Sequence, residues 1–314
     1  MRVFDGHCDT ILRTYQDGRG FRKNEGHLDL ERMAAHGCWA QFFALFWDWG
    51  ETPPEPEKSL WDVFQKEYQI FARELEQNSD VLTLCRTAGE AENAWMAGKQ
   101  AAFLSVEGAE LLDCDLQKLE LAYELGVRAV NLTWNYENAL SGSNDQSPEK
   151  GLTAQGRAFV EKMQELGMLV DVSHLSDPGF WDVIGLAKKP VFASHSNSRA
   201  VCFHSRNLTD EQFTAIIENH GVAGLNMCDL FLGPAPDLDT VVAHIEHWLG
   251  LGGEKNISLG GDWDGITHPP RGVLGIQDLD KLVERLLARN YSEDLIEDLL
   301  CNNLMRVVSE VCTM

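Results

Sequence analysis

The feature that most constrains the fold is an alternation of short apolar segments with longer amphipathic ones along the chain. The short segments are almost continuously apolar, as expected for parallel strands that are covered on both faces. The predicted strands are 3–7, 39–46, 101–107, 127–132, 169–173, 190–194, 222–226 and 257–261. The clearest predicted helices are 60–75, 116–125, 154–166, 210–218, 238–249 and 279–288.

Eight successive strand–helix units favour an α/β fold of the closed (β/α)8 type, the TIM barrel. An open doubly wound sheet is the alternative, but the first strand-to-helix turn, HCDT, lacks the glycines of a dinucleotide site. The 314 residues, 44% of them apolar, suit a single barrel domain over 1–314. Three long segments follow predicted strands, 48–59, 135–151 and 263–275, and each is either a wall of the active-site face or a solvated connector.

Charge and cysteine content restrict the class of protein. A net charge of −23 disfavours binding to nucleic acid or to an anionic membrane surface. The first residues, MRVFDGHCDT, do not resemble a signal peptide, and no apolar run reaches the ~18–20 residues that span a bilayer. The eight cysteines form no CxxC pair, which favours free thiols in a reducing compartment. We therefore expect a cytoplasmic protein with neither leader nor membrane anchor.

Polar side chains of metal-ligand type stand at the ends of the predicted strands. They are His7, Asp9, Glu107, His174, His195 and Asp262. In a barrel the carboxyl ends of all strands meet at one face, so we expect these side chains to converge. Imidazole nitrogen and carboxylate oxygen are ligands for zinc, and a pair of ions sharing a carboxylate needs about this many. Any one histidine alone would more often be structural, but their joint placement predicts a metal site.

The remaining histidines lack such a pattern. His244 and His247 lie three residues apart on a predicted helix, where a solvated outer face is favoured over chelation. Asp5 stands two residues before His7 and is either a residue that orients a metal ligand or an ordinary buried polar group.

The segments around these residues resemble the membrane (renal) dipeptidase family, a branch of the metallo-dependent, amidohydrolase-like barrels. The matching segments are DGHCDT, SVEGAE, DVSHLS, ASHSNSRAVC followed by SRN, and GGDWDG. They occur in the family's order, and the resemblance continues through DLIEDLLCNNLMRV near the end of the chain. It therefore covers almost the whole sequence.

The resemblance implies a metallo-dipeptidase with two zinc ions. His7 and Asp9 would hold one ion and His174 and His195 the other, with Glu107 bridging them. Asp262 would be the catalytic acid and base, and hydroxide held between the ions would attack the peptide bond of a dipeptide, with L-Xaa-D-Xaa among the substrates. Arg206 would receive the substrate carboxylate, which its planar guanidinium can bind through two hydrogen bonds. A homodimer would fit the family.

One position departs from the family pattern. Well-studied members carry a histidine after the fourth barrel strand that binds the scissile carbonyl, and here the segment NLTWNYENA places Trp134 there. Tryptophan can donate one N–H but cannot carry positive charge, so we expect the oxyanion to be stabilised mostly by zinc and not from this position. The substrate preference is also expected to differ. Two rival functions stay open: an amidohydrolase of the same superfamily acting on N-acyl amino acids or other small amides, and a barrel that binds metal or peptide without turnover.

Overall fold

The computed structural model describes residues 1–50 and 59–313, and within them the strands form one parallel sheet that closes on itself. Eight strands make the barrel in the order β1, β2, β4, β5, β6, β7, β8, β9, and β9 returns to β1. The seam between β2 and β4 pairs Ala40 with Ala101 and continues to Phe46 opposite Glu107. The predicted (β/α)8 fold is confirmed. The prolines of the first long segment, Pro53, Pro54 and Pro56, lie outside the described residues.

The strands lie close to the predicted segments. Their bounds are β1 Arg2–Cys8, β2 Cys38–Phe46, β3 Leu82–Leu84, β4 Gln100–Glu107, β5 Val127–Asn131, β6 Leu169–Asp171, β7 Phe192–Ala193, β8 Val222–Leu225 and β9 Ile257–Leu259. β3 was not predicted, because it is only three residues long and pairs with the start of β4 outside the barrel order. β7 is shorter than predicted, and one reason is that Pro190 has no N–H to give to a ladder.

Helices follow most strands and cover the outside of the barrel. Their bounds are α1 Thr10–Asp17, α2 Leu30–His36, α3 Leu60–Gln77, α4 Ala88–Met96, α5 Leu116–Leu125, α6 Ala154–Leu166, α7 Asp177–Leu186, α8 Asp210–Glu218, α9 Asp229–Leu232, α10 Leu238–Gly250, α11 Leu279–Ala288, α12 Glu293–Glu297 and α13 Asn303–Val311. Short 3₁₀ turns occur at Ala109–Leu112 and Ile276–Asp278, and a π-helical turn at Asp298–Asn302. Gly126 and Gly167 end α5 and α6 in the left-handed conformation, where glycine has no steric penalty.

Aromatic side chains fill the interior of the barrel. The ring centroids of Phe4 and Phe103 are 5.0 Å apart, and those of Phe42 and Phe192 are 5.5 Å apart. These pairs join strands that are not neighbours in the sheet, so the contacts cross the barrel. The interior is therefore packed, and only its carboxyl end is free to hold a site.

Alternation along β1 is interrupted just before its polar end. Phe4 belongs to the interior cluster whereas Cys8 packs in the outer layer, although residues four apart on a regular strand share a face. The pairing of β1 with β2 shifts register between Asp5 and Cys8, which accounts for the change of face. This irregularity directs the end of the strand toward the barrel mouth.

The structure also bears on the thiols and on membrane insertion. All eight cysteines are free, and six of them are buried. In the part of the chain that the structure describes, no helix combines the length and apolarity that a bilayer crossing requires.

Candidate metal centre

The ligand-type side chains of the strand ends meet at the carboxyl end of the barrel. Glu107 is the last residue of β4, and His174, His195 and Asp262 lie in the loops directly after β6, β7 and β9. His7 is the last residue but one of β1, and Asp9 follows the strand as the N-cap of α1. All are buried except Asp262, which is half-buried and faces a cavity.

Glu107 lies at the centre of the cluster. Its Oε2 is 3.4 Å from Nε2 of His7. Its Oε1 is 2.8 Å from Nε2 of His174 and 3.3 Å from Nε2 of His195. The carboxylate of Glu107 thus contacts three imidazoles. The resemblance assigns the bridging ligand to this residue.

Two sets of ligand atoms are compact enough to surround an ion. The first is His7, Glu107 and His195, and the second is His7, Asp9 and Asp262, with all atoms of each set within 4.8 Å of one another. Nε2 of His174 also lies 2.9 Å from Nε2 of His195. The structure therefore brings together all six predicted residues, while their division between two ions stays a prediction.

Neighbouring side chains direct the imidazole rings. Nδ1 of His174 pairs with Oδ1 of Asn135 at 2.9 Å, and Nδ1 of His195 pairs with Oγ of Ser194 at 2.6 Å. In both rings Nε2 is left to face Glu107. Fixing one ring nitrogen in this way sets the tautomer and orientation of a metal-binding histidine. Neither Asn135 nor Ser194 was predicted, because no sequence pattern links them to the histidines.

Asp5 acts on the backbone around the cluster. Its Oδ1 accepts the N–H of His7 and the Nε2–H of Gln41, both at 3.0 Å. Its Oδ2 accepts the N–H of Gly261 and the Nε1–H of Trp263, again at 3.0 Å. This carboxylate joins β1, β2 and the loop after β9, so it orients His7 through the main chain and not through the imidazole.

The electrostatics of the cluster reflect crowded charges in a buried space. Burial alone would lower the pKa of His7, but the charges of Glu107 and Asp9 outweigh it and hold that pKa well above its ordinary value. Burial raises the pKa of Glu107 to about 7, against the opposing effect of His7. Burial and nearby positive charges keep the pKa values of His174 and His195 well below the ordinary value.

Two atoms of the cluster have no hydrogen-bond partner among the residues that the structure describes. They are Nε2 of His7 and Oδ1 of Asp9, both fully buried. An unpaired buried polar atom is costly, and a bound cation would satisfy both of these. The set of imidazole and carboxylate donors is the set that zinc accepts, so the residues fit a metal of this type.

Asp262 is held at the edge of the cluster by an amide. Its Oδ2 accepts the Nδ2–H of Asn226 at 2.9 Å, and burial raises the pKa of its carboxyl group. Asp262 and His174 both have left-handed backbones, with φ of 57° and 68°. Such conformations are uncommon outside glycine and are often found at functional sites. Asn226 was missed, although a polar residue at the end of an apolar strand was an available signal.

A cavity of about 570 Å³ opens above the cluster. Arg206 lines it and donates from Nη2 to the carbonyl of His195 at 3.1 Å, while its Nε has no partner among the described residues. Trp134 lines the cavity as well, with its ring centroid 6.2 Å from that of His174. Both predicted substrate-binding residues thus border the same space.

The prediction of a solvated outer face for His244 was wrong. Its side chain is fully buried. Nδ1 accepts the N–H of Ser198 at 3.1 Å, and Nε2 pairs with the carbonyl of Leu232 at the same distance. His244 therefore links α10 to the loop after β7 and to the end of α9, whereas His247 pairs with Asp210 on the outside. Helical spacing alone could not show which face packs inward.

A model of the membrane dipeptidases, peptidase family M19, matches the chain over residues 1–314. The chain belongs to this family. It is therefore a member of a metallopeptidase family of dipeptidases, and the family implies a metal cofactor.

Relatives of the membrane dipeptidase family match most of the chain. An uncharacterized Klebsiella pneumoniae protein from the pqqA 5′ region is 34% identical over 273 residues, which are 83% of this chain and 98% of that protein. Dipeptidase aclJ of Aspergillus oryzae is 28% identical over 98% of this chain and 77% of its own length.

Solved structures of the family share the fold. A metallopeptidase from Rhodobacter sphaeroides, crystallised with a phosphinate mimic of the dipeptide L-Ala-D-Ala, superposes with a TM-score of 0.90 at 28% identity, over 99% of both chains. Dipeptidase AC superposes with a TM-score of 0.89 at 30% identity, over 100% of this chain and 99% of its own.

Proposed function

We propose that this membrane dipeptidase relative binds two zinc ions and hydrolyses the peptide bond of free dipeptides, L-Xaa-D-Xaa among them. The observation that carries the proposal is the contact of one buried carboxylate, Glu107, with the imidazoles of His7, His174 and His195. The unpartnered His7 Nε2 and Asp9 Oδ1 support a cation between them. The dipeptide mimic bound by the Rhodobacter relative supports the substrate class.

The residues would divide the chemistry between metal binding and proton transfer. His7 and Asp9 would hold one ion, His174 and His195 the other, and Glu107 both. When bound, the ions would supply the Lewis acidity that lowers the pKa of water to ~7 and polarises the scissile carbonyl. The chain itself contributes a cluster whose ring nitrogens are already oriented by Asn135 and Ser194.

Asp262 would move the proton. Its Oδ2 is fixed by Asn226, and the raised pKa of its carboxyl group allows it to hold a proton near the cluster. It would accept the proton of the attacking water and deliver it to the amine that leaves, as general base and then acid.

Arg206 would anchor the C-terminal carboxylate of the dipeptide. Its guanidinium is buried, yet Nη2–H to the carbonyl of His195 is its one hydrogen bond among the described residues, and Nε is unpartnered. A buried cation with free donors facing a cavity is suited to an anionic ligand. When Arg206 binds the C-terminal carboxylate, the cluster can bind only the carbonyl of the last peptide bond. This arrangement would limit the substrates to dipeptides.

The test combines metal analysis with a stereochemically varied panel of dipeptides on one sample. We expect two zinc ions per chain and hydrolysis of dipeptides, including Xaa-D-Ala. Cleavage of N-acyl amino acids in preference to dipeptides would instead support the wider amidohydrolase function. Metal binding with no turnover of either class would contradict an enzymatic role.

Replacing Arg206 tests the carboxylate anchor. Arg206→Ala should lower kcat/KM for free dipeptides by roughly 10–100-fold, because a hydrogen bond to a charged group is lost. Dipeptide amides should be affected much less. Arg157→Ala is the matched control, since Arg157 on α6 pairs with Asp182 and does not line the cavity. An equal loss on amides would show that Arg206 does not bind the carboxylate.

A further inference from the structure

Two aromatic side chains form one wall of the cavity beside the metal cluster. Phe46 is the last residue of β2, and Trp134 lies three residues past the end of β5. Their ring centroids are 4.9 Å apart with the planes inclined by 57°, and both rings line the cavity. We call this pair the aromatic wall. It offers apolar contact area to whatever occupies that side of the cavity.

Phe46 of the aromatic wall stands across the barrel from Arg206. Around the ring of eight strands, Phe46 and Trp134 belong to the second and fourth positions, on either side of β4. Arg206 follows β7, and Phe231, whose ring lies 5.5 Å from the guanidinium carbon, follows β8. Because β3 lies outside the ring, β7 is the sixth position, which is opposite the second position of Phe46 and two positions from that of Trp134. A ligand that reaches from Arg206 to Phe46 must therefore cross the metal cluster.

This arrangement assigns an orientation to a dipeptide, given the proposed function. With the carboxylate at Arg206 and the scissile carbonyl at the cluster, the N-terminal residue extends toward the aromatic wall. Consecutive residues of an extended chain are separated by ~3.3–3.6 Å, so the first side chain falls beyond the cluster and not over Arg206. The cavity of about 570 Å³ leaves room for a large side chain at that end.

The charges around the cavity favour a neutral N-terminal side chain. Among the described residues that line it, Arg206 is the one lysine or arginine. Asp145 and Asp229 also line it, but both are on the side of Arg206, since Asp229 follows β8 and Asp145 acts on His204. An acidic side chain packed against Phe46 and Trp134 would lose water with no lysine or arginine beside it, whereas an apolar side chain would not.

The aromatic wall is held in place by a buried carboxylate. Glu110 accepts the backbone N–H of Trp134, the Nδ2–H of Asn138 at 2.7 Å and the Nε1–H of Trp49 at 3.4 Å. The ring of Tyr136 packs edge-on against Trp134 with centroids 5.3 Å apart. Trp134 is therefore positioned before any ligand arrives, and a rigid apolar surface binds with little loss of conformational entropy.

We infer that the aromatic wall binds the side chain of the substrate's N-terminal residue, so that the enzyme selects dipeptides beginning with a large apolar or aromatic residue. The inference rests on the proposed function and names its substrate class. It is tested by kcat/KM for Phe-Ala, Leu-Ala, Ala-Ala, Gly-Ala and Asp-Ala, with the C-terminal stereochemistry that the enzyme cleaves. Phe-Ala should exceed Gly-Ala by roughly tenfold or more, and Asp-Ala should be the poorest.

Variants connect the preference to the wall. Trp134→Ala should lower the ratio of kcat/KM for Phe-Ala to kcat/KM for Gly-Ala by roughly tenfold, and Trp134→Phe should keep most of this preference. If Trp134→Ala does not fold, the same kcat/KM ratio measured for Phe46→Ala tests the aromatic wall independently. Trp181→Ala is the matched control, because Trp181 is 45% exposed on the outer helix α7 and does not line the cavity. Its ratio of kcat/KM for Phe-Ala to Gly-Ala should equal that of the unmodified protein.

The outcomes separate the two proposals. Cleavage of the whole series at similar rates, or a Trp134→Ala variant with an unchanged ratio, overturns the aromatic subsite and leaves the dipeptidase function intact. Failure to cleave any of these dipeptides overturns the proposed function and the subsite with it. A preference for Asp-Ala would contradict the charge argument and the subsite alone.

Discussion

At the scale of single residues, Asp262 shows how a half-buried carboxylate can lie beside others and still be placed accurately. It lies in a left-handed turn with φ of 57° and accepts a hydrogen bond from Asn226 on the neighbouring strand end. Asp264, two residues on, accepts the hydroxyl of Thr10 at 2.7 Å and the N–H of His27 at the same distance. These bonds hold both ends of the turn, so the uncommon backbone conformation is stabilised from outside it.

Asp262→Asn separates proton transfer from metal binding. The amide keeps the shape of the side chain and can still accept the hydrogen bond from Asn226, but it cannot carry a proton between water and amine. We expect kcat to fall by roughly 10²–10⁴-fold, with the metal content unchanged. Steady-state kinetics and metal analysis of the same preparation check this, and loss of metal would show that Asp262 is mainly a ligand.

At the scale of structural elements, the loops after the strands form the site, and glycine permits their closest approach. A Cβ on Gly265 would lie 2.0 Å from Oδ2 of Asp9 and 2.5 Å from Oδ1 of Asp262. Both contacts are far inside van der Waals range, so a side chain here would displace the two carboxylates where the loop after β9 lies against the end of β1. The atoms that would have to move are the carboxylate oxygens of the candidate centre.

Gly265→Ala should therefore damage the metal site more than the fold. We expect at least about tenfold weaker zinc binding and a matching loss of activity, with melting of the zinc-free protein changed by only a few degrees. Gly185→Ala in α7 is the control, since among the described residues no atom beyond its chain neighbours and the backbone of its own helix lies within 4 Å of the added Cβ, and alanine favours a helix. Metal titration followed by thermal melts distinguishes the two, and normal zinc affinity in Gly265→Ala would contradict the close packing.

At the scale of the whole molecule, barrel closure concentrates acidic and basic groups at one end of an acidic protein. In the absence of metal, the pKa of His7 is held well above its ordinary value and that of Glu107 is about 7, so near neutral pH His7 is protonated and Glu107 is partly protonated. His174 and His195 have lowered pKa values and are already neutral there. Metal ligands must be unprotonated, so His7 and Glu107 have to release protons when a cation binds.

Zinc affinity should consequently rise with pH. Below neutral pH both groups are protonated and compete with the metal; above it Glu107 is ionised and the competition weakens. We expect affinity to increase by about tenfold per pH unit for each proton released, between about pH 6 and about pH 8. Calorimetric titration in buffers of different ionisation enthalpy counts those protons. An affinity independent of pH over that range would contradict the charge state of the metal-free cluster.

Chelation should also lower the melting temperature of the whole protein. A ligand that binds only the folded state stabilises it by about 2.7 kcal/mol at one hundred times its dissociation constant. The six residues come from β1, β4 and the loops after β6, β7 and β9, so bound metal links distant parts of the barrel. Melts with and without chelator, repeated after zinc is restored, measure the effect.

The sequence alone determined the barrel and the membership of the candidate centre. Continuous apolar runs require burial on both faces, and eight such runs between amphipathic helices are best satisfied by a closed parallel sheet. Once the sheet closes, strand ends necessarily share one face, so His7, Glu107, His174, His195 and Asp262 could be grouped without any knowledge of distances.

Only the tertiary structure decided how those residues are held. The register shift in β1, the left-handed turns at His174 and Asp262 and the partners Asn135 and Asn226 all arise from contacts between segments far apart in sequence. The buried face of His244 and the pairing of Phe46 with Trp134 have the same origin. Local propensity and periodicity carry no information on such contacts, because their energies depend on which segments the closed barrel brings together.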